Sequence, residues 1–294
     1  MFGSKKRKAN EEERKGNNAS SLLSKLVHYE KAVDYDPKNP THWYNIGECL
    51  FAIAQGKHVR KFLSGAHLDE EYDIESQSFS KRHQLNTIHD LYSDTLECFL
   101  KVEELGTEKL YDHELWDMED LPLSIVSHYS KIRLYWRLGL LSGKLDDHTK
   151  ALKYFRKQKE LIEIPTYWKG ARISLGWADA PDSEITVVDL NLAYTWSKIM
   201  EESLSKGFNY YEILNAYVRA KISFADAKLM FLGGADYQIS LDEKMNAERF
   251  NEIMKQNGKR DRAGSVWQCP ECGAEEDMDS AAKHYWEFHY EKTN

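Results

Sequence analysis

Apolar residues recur along most of the chain at intervals of three and four, the spacing that places them on one face of an α-helix. Leu22, Leu23, Leu26, Tyr29, Ala32 and Val33 form the first stripe, from about Ser20 to Asp36, with Asn18 or Ser20 placed to cap it. Asp36-Pro37-Lys38-Asn39-Pro40 breaks the pattern. Thr41 then opens a second helix that carries Trp43, Ile46, Gly47, Leu50, Ile53 and Ala54. Similar stripes predict helices from about Arg82 to Leu105, Leu121 to Ser142, Asp146 to Ile164, Asp182 to Lys206, Tyr210 to Leu232 and Ser240 to Gln256. Gly106, Gly207 and Gly233-Gly234 stand where helices should close, and Pro181 suits a first helical turn.

Composition supports an all-α body. Hydrophobic residues make up 41% of 294 positions, enough for a sizeable core, and only 6 residues are proline, so long helices can run unbroken. No apolar run approaches the roughly 18 residues of a membrane span. Four cysteines are too few, and wrongly placed, for a disulfide framework, which points to a reducing, cytoplasmic setting. A formal charge of −8 disfavours general nucleic-acid binding. The segment 1–17 is highly charged and nearly devoid of apolar residues, and is expected to be a disordered tail. Its Lys5-Lys6-Arg7-Lys8 cluster reads as a nuclear import signal, a phosphate-contacting arm or a solvated terminus. The adjoining Glu11-Glu12-Glu13 offsets its field and favours the last of these.

Two stretches share a further pattern. Tyr29, Ala32 and Pro37, followed by Trp43, Ile46 and Gly47, resemble the junction between two tetratricopeptide repeats (TPRs). Leu138-Gly139, Gly143-Lys144, Ala151 and Phe155 resemble the helix–turn–helix of another. The resemblance implies an α-solenoid over residues 18–258 in which small residues admit close helix approach and large ones fill the gaps. The two matches lie roughly ninety residues apart, not a whole number of about 34-residue periods, so the array is expected to be irregular. It also implies a concave groove lined by the first helix of each pair. There Arg133 and Arg137, one turn apart, and Asn45 on the earlier unit are candidate partner-binding residues, because paired arginines suit a peptide carboxylate.

Residues 259–264 read as a linker, and residues 265–294 carry the most specific chemistry. Cys269 and Cys272 are three positions apart in the chain's hairpin-like turn, and His284 and His289 are five apart on a short helical pattern. Two thiolates and two imidazoles form the closed tetrahedral set that holds one structural Zn²⁺. A segment this short cannot build a large core, and metal ligation would supply the missing stability. With Trp267 two residues before Cys269, the segment resembles a ββα Cys2His2 zinc finger, although 11 residues rather than about twelve separate Cys272 from His284. From Ser265 onward seven acids face two lysines. Such a surface repels DNA, so a structural or protein-binding finger is expected, with Trp286 a candidate interface anchor.

No phosphate-binding glycine loop, nucleophile elbow or catalytic metal motif occurs. His83, His89 and His113 are not at ligand spacing. The expectation is a non-enzymatic protein–protein interaction adaptor or scaffold, with a nucleic-acid-associated regulator using the finger and basic segments as the alternative.

Overall fold

A computed structural model of the chain describes residues 2–64, 87–107, 110, 123–164, 180–207, 209–230 and 236–257, and near the C-terminus residues 267–268, 272, 274–276 and 284. Among these, nine helices account for nearly everything, joined by one two-stranded antiparallel hairpin. None of the described helices is long and apolar enough to cross a membrane. The chain divides into two compact units, Met1–Pro181 and Asp182–Asn294, where the periodicity alone suggested one helical domain over 18–258. The proposed linker, 259–264, lies outside the described residues.

Unit 1 holds α1 (Phe2–Asn17), α2 (Leu22–Tyr35), α3 (Pro40–Ser64), α4 (Ile88–Leu105), α5 (Leu123–Lys144) and α6 (His148–Ile162). Each packs chiefly on its neighbours in sequence. The first of them corrects the expectation of a disordered tail over 1–17. Lys15 pairs with Glu11 (3.2 Å) and Glu12 (2.7 Å) one turn away, which supports helix. Ala9 and Gly16 are buried against the next helix, a docking face that needs no large apolar side chains.

The helix ends follow local chemistry. Ser21, rather than Asn18 or Ser20, caps α2 by accepting the Ser24 N–H at 3.1 Å. Asn39 rather than Thr41 caps α3: its Oδ1 accepts the Thr41 N–H at 3.0 Å, and Pro40 takes the first helical position. Asp147 caps α6 by accepting the Lys150 N–H at 3.1 Å, while Asp146, the expected cap, sits in the preceding turn at φ 59°. Gly106 closes α4 at φ 95°, as its position suggested.

Three helix pairs in unit 1 use the same contact. Gly16 on α1 meets the ring of Tyr29 on α2, Gly47 on α3 meets Phe99 on α4, and Gly139 on α5 meets Phe155 on α6. A Cβ added at these glycines would lie 2.6, 2.7 and 2.6 Å from the respective rings. The absent side chain is what lets each ring enter the seam. Around these contacts runs a continuous core that includes Leu26, Tyr44, Ile46, Leu50, Leu91, Phe99, Leu134, Leu138 and Leu141, all at most 1% exposed.

Unit 2 contains α7 (Ala180–Ser205), α8 (Tyr210–Met230) and α9 (Asp236–Asn257), followed by β1 (Trp267–Gln268) and β2 (Glu275–Glu276). Gly207 closes α7 at φ 127°. Tyr194 donates to Asp242, and Arg249 lies 3.9 Å from Glu201, so α7 and α9 run parallel in matching register. Between them and α8 lie two apolar clusters. One joins Ala193, Ala220, Phe224, Ala227 and Ile239, and the other joins Met200, Ile213, Ala216 and Ile253, with Trp196 packed against both. Tyr217 stacks on Phe250 at 4.1 Å.

Candidate functional site

The segment that carries the candidate metal ligands contains the β1–β2 hairpin. Trp267 pairs with Glu276 and Gln268 with Glu275 in antiparallel register, and Cys272 lies in a turn between the two strands. The Cys272 Sγ lies 3.3 Å from the Nε2 of His284, which is 8% exposed and has helical backbone. Two ligands on one tetrahedral zinc, at about 2.3 Å for sulfur and about 2.05 Å for nitrogen, stand about 3.5 Å apart. The observed pair therefore fits two corners of such a site. Cys269 and His289, the other two expected ligands, and Trp286, the expected anchor, lie outside the described residues. Among the described residues alone, no group of three metal-ligating side chains occurs.

The second expected site lies on unit 1, where α3 and α5 face each other. Arg137 makes a bidentate pair with Glu48, Nε to Oε1 and Nη2 to Oε2, both 2.9 Å, and the Nη2 of Arg133 reaches Oε2 at 3.4 Å. The Arg137 guanidinium also lies over Phe51 at 4.0 Å and Trp136 at 4.6 Å from the ring centroids. These side chains are mostly buried, 11% exposed for Arg137, 16% for Arg133 and 24% for Glu48, so the attraction is little screened. The two arginines do converge on a carboxylate, but it is one supplied by the chain itself. Asn45, one turn before Glu48, is 7% exposed, and its Nδ2 has no hydrogen-bond partner. The sequence offered no signal for Glu48, which is 89 residues from Arg137.

A second charged cluster went unnoticed in the sequence. Glu103 on α4 accepts from Lys157 at 2.6 Å and from the Tyr154 hydroxyl at 3.3 Å, and Lys157 lies over the Tyr135 ring at 4.9 Å. Burial pushes the Tyr154 hydroxyl up to about 12, with Glu103 adding to the shift, so the phenol stays a donor.

The two cysteines outside the finger are core residues. Burial pushes the Cys49 thiol up to about 12 and raises that of Cys98 further, so neither offers a thiolate near neutral pH. His83 and His113 lie outside the described residues. His89 sits on the first turn of α4, beside the cap formed by Thr87, whose hydroxyl accepts the Asp90 N–H at 3.0 Å.

No protein-family model and no curated protein sequence matches the chain.

Proposed function

We propose that the protein is a protein–protein interaction adaptor or scaffold, built from a TPR-like array of helical hairpins and a structural zinc finger. The observation that carries this reading is the recurrence of one contact, glycine of the first helix against an aromatic ring of the second, in three successive hairpins. Successive hairpins that pack mainly on their neighbours make quasi-one-dimensional scaffolds whose use is binding. The irregular spacing of the TPR-like matches has a simple source: residues 65–86 intervene between α3 and α4, so Gly47 finds its ring partner only after an insertion.

In the finger, Cys269, Cys272, His284 and His289 would hold one Zn²⁺. The ion would supply folding energy and no open coordination position. This reading assigns the chain no catalysis and a cytoplasmic place, with a nuclear one as the alternative if Lys5-Lys6-Arg7-Lys8 acts as an import signal. Capture of partners by the full chain, with and without nuclease, tests it. Protein partners that persist after nuclease treatment are the expected result. Loss of every partner on nuclease treatment would sink the adaptor reading in favour of a nucleic-acid regulator.

A further inference from the structure

In the sequence, Glu11-Glu12-Glu13 stands beside Lys5-Lys6-Arg7-Lys8 and offsets its charge. The fold turns those acids to other partners. Glu12 takes His28 of α2, Oε2 to Nδ1 at 2.8 Å, and Lys15 at 2.7 Å. Glu13 points to the buried His42 of α3 at 3.7 Å, and Glu11 pairs with Lys15 at 3.2 Å. Lys5, Lys6, Arg7 and Lys8 are all exposed, and among the described residues none has a carboxylate within 4.0 Å. Lys8 instead lies over the ring of Tyr35 at 5.6 Å, and Tyr35 is 36% exposed. Lys31, exposed and one turn before Tyr35 on α2, adds a cation to the same side.

This end of the α1–α2 hairpin thus sets Lys5, Lys8 and Lys31 beside an accessible aromatic ring. A lipid surface is a poor match for it. Phe2 and Ala9 are the only apolar residues of α1, and Ala9 is buried, so there is no free apolar stripe to insert. Cations that track phosphates, next to a ring on which a base can stack, are the means by which single strands are held. We propose that this surface binds single-stranded nucleic acid, with Lys5 and Lys8, one turn apart on α1, and Lys31 of α2 on phosphates and Tyr35 against a base. The inference goes beyond the adaptor reading and does not rest on it.

The test is fluorescence anisotropy of a labelled mixed-sequence single strand, about 15 nucleotides long, with the full metal-loaded chain. About three phosphate contacts give a log–log salt slope near −2, so affinity should fall about 20-fold between about 50 and 200 mM salt. The variant Lys5→Ala, Lys6→Ala, Arg7→Ala, Lys8→Ala should lose at least about tenfold at low salt and flatten the slope. Alanine suits a helix, so α1 should stay folded in that variant. Lys5→Arg with Lys6→Arg and Lys8→Arg should bind like the parent, which separates charge from fold. Cys269→Ser with Cys272→Ser should retain binding, which separates this surface from the finger. Tyr35→Ala should weaken binding severalfold. Absence of binding at low salt, undiminished binding by the quadruple alanine variant, or binding to phosphatidylserine vesicles but not to the oligonucleotide would each overturn the proposal.

Discussion

In unit 1 a bare glycine admits an aromatic ring into three helix–helix seams, whereas in unit 2 the described seam of α7, α8 and α9 sets four alanines among larger side chains such as Phe224, Ile213 and Trp196. Ala193, Ala216, Ala220 and Ala227 are buried there, and the described apolar clusters are two small groups, against one continuous core in unit 1. Aromatic rings bury far more area than methyl groups and interlock, so unit 1 should derive most of its stability from packing. Unit 2 even places a polar side chain in the stripe. Asn246, 7% exposed, lies seven residues from Ile239 and seven from Ile253, and neither amide atom has a hydrogen-bond partner. The hairpin at the C-terminal end is proposed to depend on metal. The contrast implies three sources of stability that separate perturbations can address one at a time.

The largest expected effect is on the finger. Structural zinc sites of this kind bind with about 10–16 kcal/mol, which is also their folding energy. The parent chain should contain about one zinc, and Cys269→Ser with Cys272→Ser none, by elemental analysis. The β1–β2 amides should lose exchange protection while those of α3 and α4 keep theirs. A well-folded parent without metal would remove the finger from the account. Next comes the unit 1 core. Phe99→Ala should cost about 3–5 kcal/mol in urea unfolding, because Phe99 is fully buried under Gly47 and Tyr44. Gly139→Ala should cost about 1–3 kcal/mol despite alanine's better helix propensity, since its Cβ would meet the Phe155 ring. Phe155→Leu should relieve part of that cost. If Gly139→Ala proves stabilising, the seam is looser than a 2.6 Å approach allows.

How far the sequence foretold this structure depends on what each residue relies on. The apolar stripes of α2 to α9 announced helices because burial of one face is written directly in their spacing. Cap positions shifted by a residue or two, since several neighbouring Ser, Asp and Asn residues could accept the same N–H. The α1 helix was missed because it docks through Ala9, Gly16 and polar groups: Tyr29 donates to Asn17 at 2.8 Å, and Glu12 meets His28. No hydrophobic stripe records such a face. Cys272 and His284, which the fold brings to 3.3 Å, stood out in the sequence because ligand spacing is a local pattern. Glu48 was not, because its role appears only when α3 and α5 meet. The boundary at Pro181 was hidden for the same reason: helical periodicity runs on either side of it without change.

Asn246 offers a smaller test within unit 2. A buried amide with neither donor nor acceptor satisfied costs stability relative to an apolar side chain of similar size. Asn246→Leu should therefore raise the thermal midpoint of unit 2, by the equivalent of about 1 kcal/mol, and leave unit 1 unchanged. A destabilised variant would show that the amide holds a bond whose loss outweighs the gain in burial.

The smallest expected effect is pH dependence at the α1 contact. Asn39 uses its Oδ1 to accept from Thr41, so its Nδ2 is the donor to His42 Nε2 at 3.1 Å. His42 is then neutral, with its proton on Nδ1, facing Glu13 at 3.7 Å. The imidazole is 0% exposed, and burial lowers its pKa from the ordinary 6.5, while Glu13 and Asp36 partly oppose the shift. Below 6.5 the unfolded chain takes up a proton that the folded chain refuses, so stability should fall as the solution is acidified through and below that value. Above 6.5 both states are neutral at this site and the contribution is constant. The drop should be modest because two carboxylates offset the desolvation. It should also be local, seen first as faster exchange of α1 amides and not of those in the Phe99 seam. His42→Gln should remove the slope just below 6.5, and a parent and variant with the same slope would place the titration elsewhere.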